Sequence, residues 1–417
     1  MNLRPSTGQK KSSIFDSPAF FNSFLNTRSW EPPWLNDFRR KQWEEFLQAE
    51  KSFSKEGWRF SPRARFGFSK FQQLLDNSNS VQIENSDHPG ITFETVEKMI
   101  LDHPDVLASH IDLHGPDLGA GDIFHLISSL AHTGFYLHLE KNADPCLHPM
   151  KVSHSTANDS SALFHRNTII LEPFAEATLF ESIDSEGLNS SSLFGNVTHI
   201  ELGEGAKLNR ILFQSCDHSS TLYQLEHFNI GRNASITNTT IHLGSAQSRV
   251  ETKGSLLGEG AVFENYSLFL GQEKQLFDQR TMQHHLAPHG RSNLVCKNAL
   301  SGESKSIFSG MIKVDNSASS TDAYQSNRNL LLSGKAEADS LPGLEILANE
   351  VKCSHGATTS RIDEGELFYL LARGIPQPAA EKLIALGFFE EIVDKIRNEN
   401  EREHIRKKIE SQFEKNE

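Results

Sequence analysis

Four segments, PFAEATLFES (173–182), LGEGAKLNRILFQ (202–214), IGRNASITNTTIHL (230–243) and LGEGAVFENYSLFL (257–270), decide how this chain is read. Each can be written as a turn, an alanine, any residue and an apolar residue. Aligned that way, the alanines are Ala177, Ala206, Ala234 and Ala261, spaced by 29, 28 and 27 residues. LSGESKSIFSG (300–310) and LLSGKAEADS (331–340) read as later, degenerate copies without the alanine in place. A drifting period near 28 with a small residue at a fixed turn position is the signature of a solenoid. Short segments rich in β-formers, with Gly or Asn at the corners, favour a β-solenoid over helical repeats. One coil cannot bury its own apolar face, so coils stack and inward side chains form ladders along the axis. A β-sandwich shares short strands at regular spacing, but the graded repeat favours the solenoid.

On either side the texture is helical. Residues 1–150 form an N-terminal, mostly helical region in which LNDFRRKQWEEFLQA (35–49) sets Phe38, Trp43, Phe46 and Leu47 on one stripe. That stripe is expected to pack into the core rather than to form a partner groove. A second helix is expected from Asp122 to a stop at Gly134. The β-solenoid is expected over 151–362, and a C-terminal helical region over 363–417. The latter breaks at Gly374-Ile375-Pro376 and resumes as an amphipathic helix through Leu383, Ile384, Leu386, Ile392, Val393 and Ile396. Residues 397–417 read as an exposed, highly charged tail.

Composition narrows the function classes. The 417 residues are 37% hydrophobic and 23% charged, with a net charge of −13 from 41 basic and 54 acidic side chains. This is a soluble globular balance without the basic footprint of a nucleic-acid binder. No apolar run approaches the roughly 18 residues of a membrane span, and the first residues show no apolar leader segment, so the cytoplasm is the expected compartment. Cys146, Cys216, Cys296 and Cys353 lie far apart, which argues against a disulfide scaffold. There is no phosphate-binding loop, dinucleotide fingerprint, nucleophile elbow or HExxH. In HHLAPH, His284 and His285 would face opposite sides of a strand, and Pro288 breaks the spacing to His289. Structural or surface roles are expected there. A β-helix enzyme acting on carbohydrate or acyl donors would need facing carboxylates, and the coils show no recurring pair.

One half-site stands out. GLEILANEVKCSHGA (343–357) has the content of a last solenoid strand, and residues two apart on a strand share a face. Cys353 and His355 would project together, their Cα atoms about 6–7 Å apart from two rises of about 3.3 Å. Thiolate plus imidazole suits zinc or iron–sulfur chemistry, but two ligands leave a site that needs others from a second chain. The alternative is a small buried Cys beside a hydrogen-bonded His.

The segments RTMQHHLAPHGRSN (280–293), TDAYQSNRNLLLSGKAEADSLPGLEILANEVKCSHGAT (321–358) and LFYLLARGI (367–375) closely resemble the SufB/SufD family of iron–sulfur cluster assembly proteins. FHRNTIILEPFAEATLFES (164–182), NVTHIELGEGAKL (196–208), and PPWLNDFRRKQWEEF (32–46) with EGWRF (56–60) extend the resemblance over nearly the whole chain. VKCSHGA places it on the SufD side of the family, and Ser360 stands where a Gly is usual. The resemblance implies a right-handed parallel β-helix between helical regions and a non-catalytic scaffold subunit. It implies two partners, a SufB-type subunit paired through the β-helix and a SufC-type ATPase docked on the C-terminal helices. It further implies that His355, with Cys353 as a second candidate, handles a nascent iron–sulfur cluster at the SufB interface. No cofactor would be bound permanently by this chain alone, and no residue here places a flavin. Leu367, Phe368, Tyr369, Arg373, Gly374 and Ile375 match the motif implied to meet the ATPase. A SufB-like homodimeric scaffold is the alternative within the family, and the isolated chain is compatible with a homodimer.

Overall fold

The computed structural model describes residues 13–414 except 50–56, 62–65, 69, 76–79, 85–87, 112–114, 144–148, 156–159 and 185–190. Cys146 therefore lies outside the described residues. The chain is mainly β, a parallel β-solenoid of about seven turns flanked by N- and C-terminal helices.

Successive strands alternate between two parallel sheets, so every coil gives one strand to each. One sheet runs from Phe135–Leu139 and Ser161–Leu171 to Lys305–Val314 and Glu337–Ile346; the other runs from Met150–Ser155 and Glu176–Asp184 to Asp322–Leu331 and Lys352–Arg361. Two antiparallel strands, Ile91–Thr95 and Val81–Glu84, close the N-terminal end of the stack by pairing with Phe135–Leu139 and Met150–Ser155. Among the described residues the C-terminal end has no such closure: Glu337–Ile346 and Lys352–Arg361 are the outermost strands of their sheets.

The period has a local cause. At one corner of successive coils a residue takes left-handed backbone: Phe174, Gly205, Asn233, Gly260, His289, Ser320 and Glu350, 27 to 31 residues apart. Its N–H donates to a carbonyl of the next coil, as Gly205 does to Arg232 (2.8 Å), Asn233 to Glu259 (2.9 Å) and Gly260 to Pro288 (3.1 Å). Directly after it the chain turns inward, where Ala175, Ala206, Ala234 and Ala261 are fully buried. The register pairs Glu176 with Lys207, so the equivalent of Ala206 is Ala175, not Ala177 as the sequence alignment placed it. The copies at 300–310 and 331–340 prove to be corners of the opposite sheet, with Lys305 paired to Glu337 and Ala336 at the buried corner position. HHLAPH resolves as expected of a strand end. His284 faces out to Asp315 (3.1 Å), His285 points into the core against Ser292 (2.7 Å), and His289 is a left-handed corner.

The lumen is not purely apolar. Arg210, fully buried, lies 2.6 Å from Glu181 and 2.7 Å from Glu226, and His154 Nε2 is 3.0 Å from the other oxygen of Glu181. Burial alone would raise the Glu181 carboxyl, but the Arg210 guanidinium and the adjoining His154 outweigh it and bring the pKa down to about 2.

Helices α1 (Pro18–Thr27), α2 (Pro33–Ala49), α3 (Val96–Asp102), α4 (Pro104–Ala108) and α5 (Gly121–Leu130) belong to the N-terminal region. On α2, Trp43 and Phe46 are buried and Leu47 packs beside them, while Phe38 packs against a separate cluster. α5 ends before Gly134, whose φ of +134° follows the helix. Arg249 seals the N-terminal region to the solenoid through Asp278, Glu251, the carbonyls of Gly57 and Leu118, and the Trp58 ring.

At the other end come α6 (Glu364–Leu371), α7 (Gln377–Val393) and α8 (Glu399–Glu414). α7 and α8 lie on the outer face of one sheet, where Phe389, Ile392, Val393, Ile396, Ile405 and Ile409 share a core with Phe213, Tyr266 and Leu268. The tail expected to be exposed is thus a docked helix. Its apolar contribution is a narrow i, i+4 stripe that its many charges obscure in the sequence. Leu383, expected on the packed face of α7, is instead 50% exposed.

Candidate functional site

The segment read as a single last strand is two. Gly343–Ile346 ends the outermost strand of one sheet and 352–357 lies in the outermost strand of the other, with a corner between them. The expected sharing of a face by Cys353 and His355 follows from the register: Cys353 pairs with Ala323 and His355 with Gln325, both buried in the lumen. Cys353 packs against Ile312, Val314 and Ala323 and is half-buried, whereas His355 is exposed. Both side chains therefore point along the lumen face of a coil that nothing among the described residues covers. Burial pushes the Cys353 thiol up, the nearby Asp322 carboxylate adds to this, and a backbone hydrogen bond at Ala323 partly opposes it. The uncovered end thus favours a protonated thiol, and a ligating thiolate would need a cation beside it.

The same coil presents an apolar rim that sequence reasoning missed. Leu344 and Ile346 are 37% and 39% exposed, and they stand in register with the fully buried Ile312 and Val314 of the coil beneath. Alternating apolar residues in LEILANE were the available signal, but nothing in them distinguishes a covered coil from an end coil. Two parallel sheet edges, with free backbone donors and acceptors, flank this rim. Such an edge is a template for pairing with another chain.

α6 is the second feature of this end. Asp363 caps it, its Oδ1 accepting from the Glu366 N–H at 2.9 Å. Among its residues none is buried, although Leu367, Phe368, Tyr369, Leu370 and Leu371 are apolar. Phe368 is 71% exposed, and Tyr369 lies under the Arg373 guanidinium at 3.4 Å from the ring centroid. Gly374 takes a φ of +79° that ends the helix in a left-handed cap, and Ile375 turns back half-buried toward it. A cleft of about 960 Å³, lined by Leu330, Ser360, Glu366, Ile384 and Phe388 among others, separates α6 from the sheet. All six residues of the expected docking motif thus fall on one protruding helical hairpin, while His355 and Cys353 lie on the strand that leads into it. Among the described residues no group of three or more His, Cys, Asp or Glu side chains is arranged to hold a metal. Nor, among those residues, is any helix long and apolar enough to cross a membrane.

The chain thus combines a parallel β-solenoid closed at its N-terminal end with a Cys–His pair at its uncovered C-terminal end and a helix whose apolar residues stay exposed. The profile of the SufBD core domain of the SUF system for iron–sulfur cluster assembly matches residues 153–388, more than half of the chain. The chain belongs to the SufB/SufD family of iron–sulfur cluster assembly proteins. It is 28% identical over 374 residues to the iron–sulfur cluster assembly protein SufD of Escherichia coli, covering 85% of this chain and 87% of that one. The SufD protein of Bacillus subtilis is 24% identical over 398 residues, covering 88% and 91%. A SufBD family protein of Mycobacterium tuberculosis is 27% identical over 374 residues, covering 86% and 88%.

Proposed function

We propose that this chain is a non-catalytic scaffold subunit of the SUF system, joined to a SufB-type subunit through its open solenoid end and to a SufC-type ATPase through α6. The observation that carries this reading is the uncovered last coil: two unpaired parallel edges, an apolar rim and, between them, the inward-facing pair of His355 and Cys353. Edge pairing would satisfy the free backbone groups, and the rim would go on to bury apolar area at about 25 cal/mol per Å². His355, with Cys353 secondary, supplies ligands to a nascent cluster that the complex builds and passes to apo-proteins; the cluster is cargo, and the remaining ligands come from across the interface. ATP turnover belongs to the partner. Movement of α6, only a few residues beyond the edge strand, would be transmitted to the interface that holds the cargo. The reading places the protein in the cytoplasm, without a membrane or nucleic-acid partner and with no permanently bound cofactor.

Co-expression with SufB- and SufC-type partners, followed by cluster yield, tests it. His355→Ala should lower the yield severalfold while the complex still forms. A wild-type yield from that variant would remove His355 from the cluster's ligand set. Assembly of clusters by the chain alone, from iron and sulfide, would favour a homodimeric scaffold instead.

A further inference from the structure

His355 stands in register directly against Gln325 of the preceding coil. Neighbouring strands lie about 4.8 Å apart, so the two inward side chains are within reach of each other. Gln325 is fully buried. Its Nε2 donates one long bond, 3.4 Å, to the Gly310 carbonyl of the opposite sheet, while its Oε1 has no hydrogen-bond partner. The amide is fitted to this place: a Cβ on Gly310 would come within 2.5 Å of Gln325 Oε1. A buried amide oxygen left without a donor costs about 1–3 kcal/mol, so one that persists calls for an explanation.

Other rungs of the lumen supply the pattern. Asn238 Nδ2 donates to its register partner Asn265 Oδ1 at 3.0 Å, and Asn298 Nδ2 to its register partner Asn329 Oδ1 at 2.8 Å. Inward polar side chains of adjacent coils therefore bond rung to rung. Gln325 and His355 form the rung at the open end, with an unused acceptor below and a ring N–H above.

We propose that Gln325 is the positioning residue for His355, its Oε1 accepting one ring N–H and so leaving the lone pair of the other ring nitrogen facing out of the open end. A ligating imidazole binds through the nitrogen that carries no proton, and the bond made by its other nitrogen fixes both tautomer and ring direction. The benefit to cluster binding rests on the ligand reading of His355; the hydrogen bond itself is a property of this chain.

The test is the tautomeric state of His355 in the full chain labelled with ¹⁵N-histidine, its signals assigned by their loss in His355→Gln. The wild type should show a single neutral tautomer. Gln325→Met, similar in length but without an acceptor, should give a mixture, and Gln325→Glu, which keeps an acceptor, should restore one form. Gly310→Ala, by displacing the amide, should act like Gln325→Met. In the co-expressed complex at limiting iron, Gln325→Met should lower cluster yield about tenfold, the scale of losing a ligand's supporting hydrogen bond. A single tautomer that survives in Gln325→Met overturns the inference. So does a freely exchanging mixture in the wild type, which requires no variant to fold. If the tautomer follows Gln325 but His355→Ala keeps full yield, the ligand reading fails and the positioning bond stands.

Discussion

Replacing Glu181 by Gln probes a fully buried charge cluster in the lumen. The carboxyl is fully buried between Arg210 and His154 and is held at about 2 against an ordinary 4.5. A folded-state pKa below the unfolded one means that the native state binds its proton less readily. The associated stability is therefore complete above the unfolded value and is lost as pH falls through the folded one. A difference of about 2.5 units at 1.36 kcal/mol each is on the order of 3 kcal/mol. Urea unfolding of the wild type and Glu181→Gln, at steps from pH 7 to pH 2.5, should reveal it. The wild type should lose on the order of 3 kcal/mol more than the variant across that window, mostly between pH 5 and 2.5. The subtraction matters because every other carboxylate titrates in both proteins. Arg210→Met should be worse at neutral pH, by about 3–5 kcal/mol, since it strands two buried carboxylates. Parallel pH profiles for wild type and Glu181→Gln would refute the argument, because they would mean that Glu181 ionises alike in folded and unfolded chains.

Two further outcomes follow from surfaces rather than charges. Phe368→Glu on α6 should abolish co-purification with the SufC-type ATPase while moving the melting temperature by under about 2 °C, since surface substitutions usually stay within about 0.5 kcal/mol; a folded variant that still binds the ATPase normally would separate α6 from docking. Ile409→Ala should cost about 2–5 kcal/mol, the range for a large-to-small change in a packed core, read from the unfolding midpoint. An unchanged midpoint would restore the view of residues 397–417 as a loose tail.

How much was legible in the sequence depended on which residues turned the corners. Gly205, Asn233 and Gly260 accept left-handed backbone readily and announce the turn before the buried alanine. Phe174, His289, Ser320 and Glu350 do the same job without any such signature. For that reason the alignment slipped to Ala177 and lost the repeat after Gly260. The docked α8 was hidden for a different reason: Ile405, Ile409 and Phe413 are a narrow i, i+4 stripe in a helix whose other positions are charged or polar. Leu383 read as core because hydrophobicity in a sequence does not say which molecule will cover it. For the candidate site, strand parity put Cys353 and His355 on one face correctly. That Gln325 lies beneath His355 depends on register between residues about 30 apart, which no local pattern encodes.

The unequal ends of the solenoid give it a direction in time as well as in space. The antiparallel strands that shut the first coil leave the ribosome before any of the stack, so each later coil meets a finished surface on which to lay down. The uncovered coil at 337–361 emerges only after the coils beneath it, and α6, α7 and α8 come after it. An exposed template for strand addition is hazardous chiefly while its own chain is still partly unfolded and able to occupy it wrongly. Because it follows the rest of the stack, the uncovered edge appears when the strands of the preceding coils have already been made and fewer of them are left to be misplaced there.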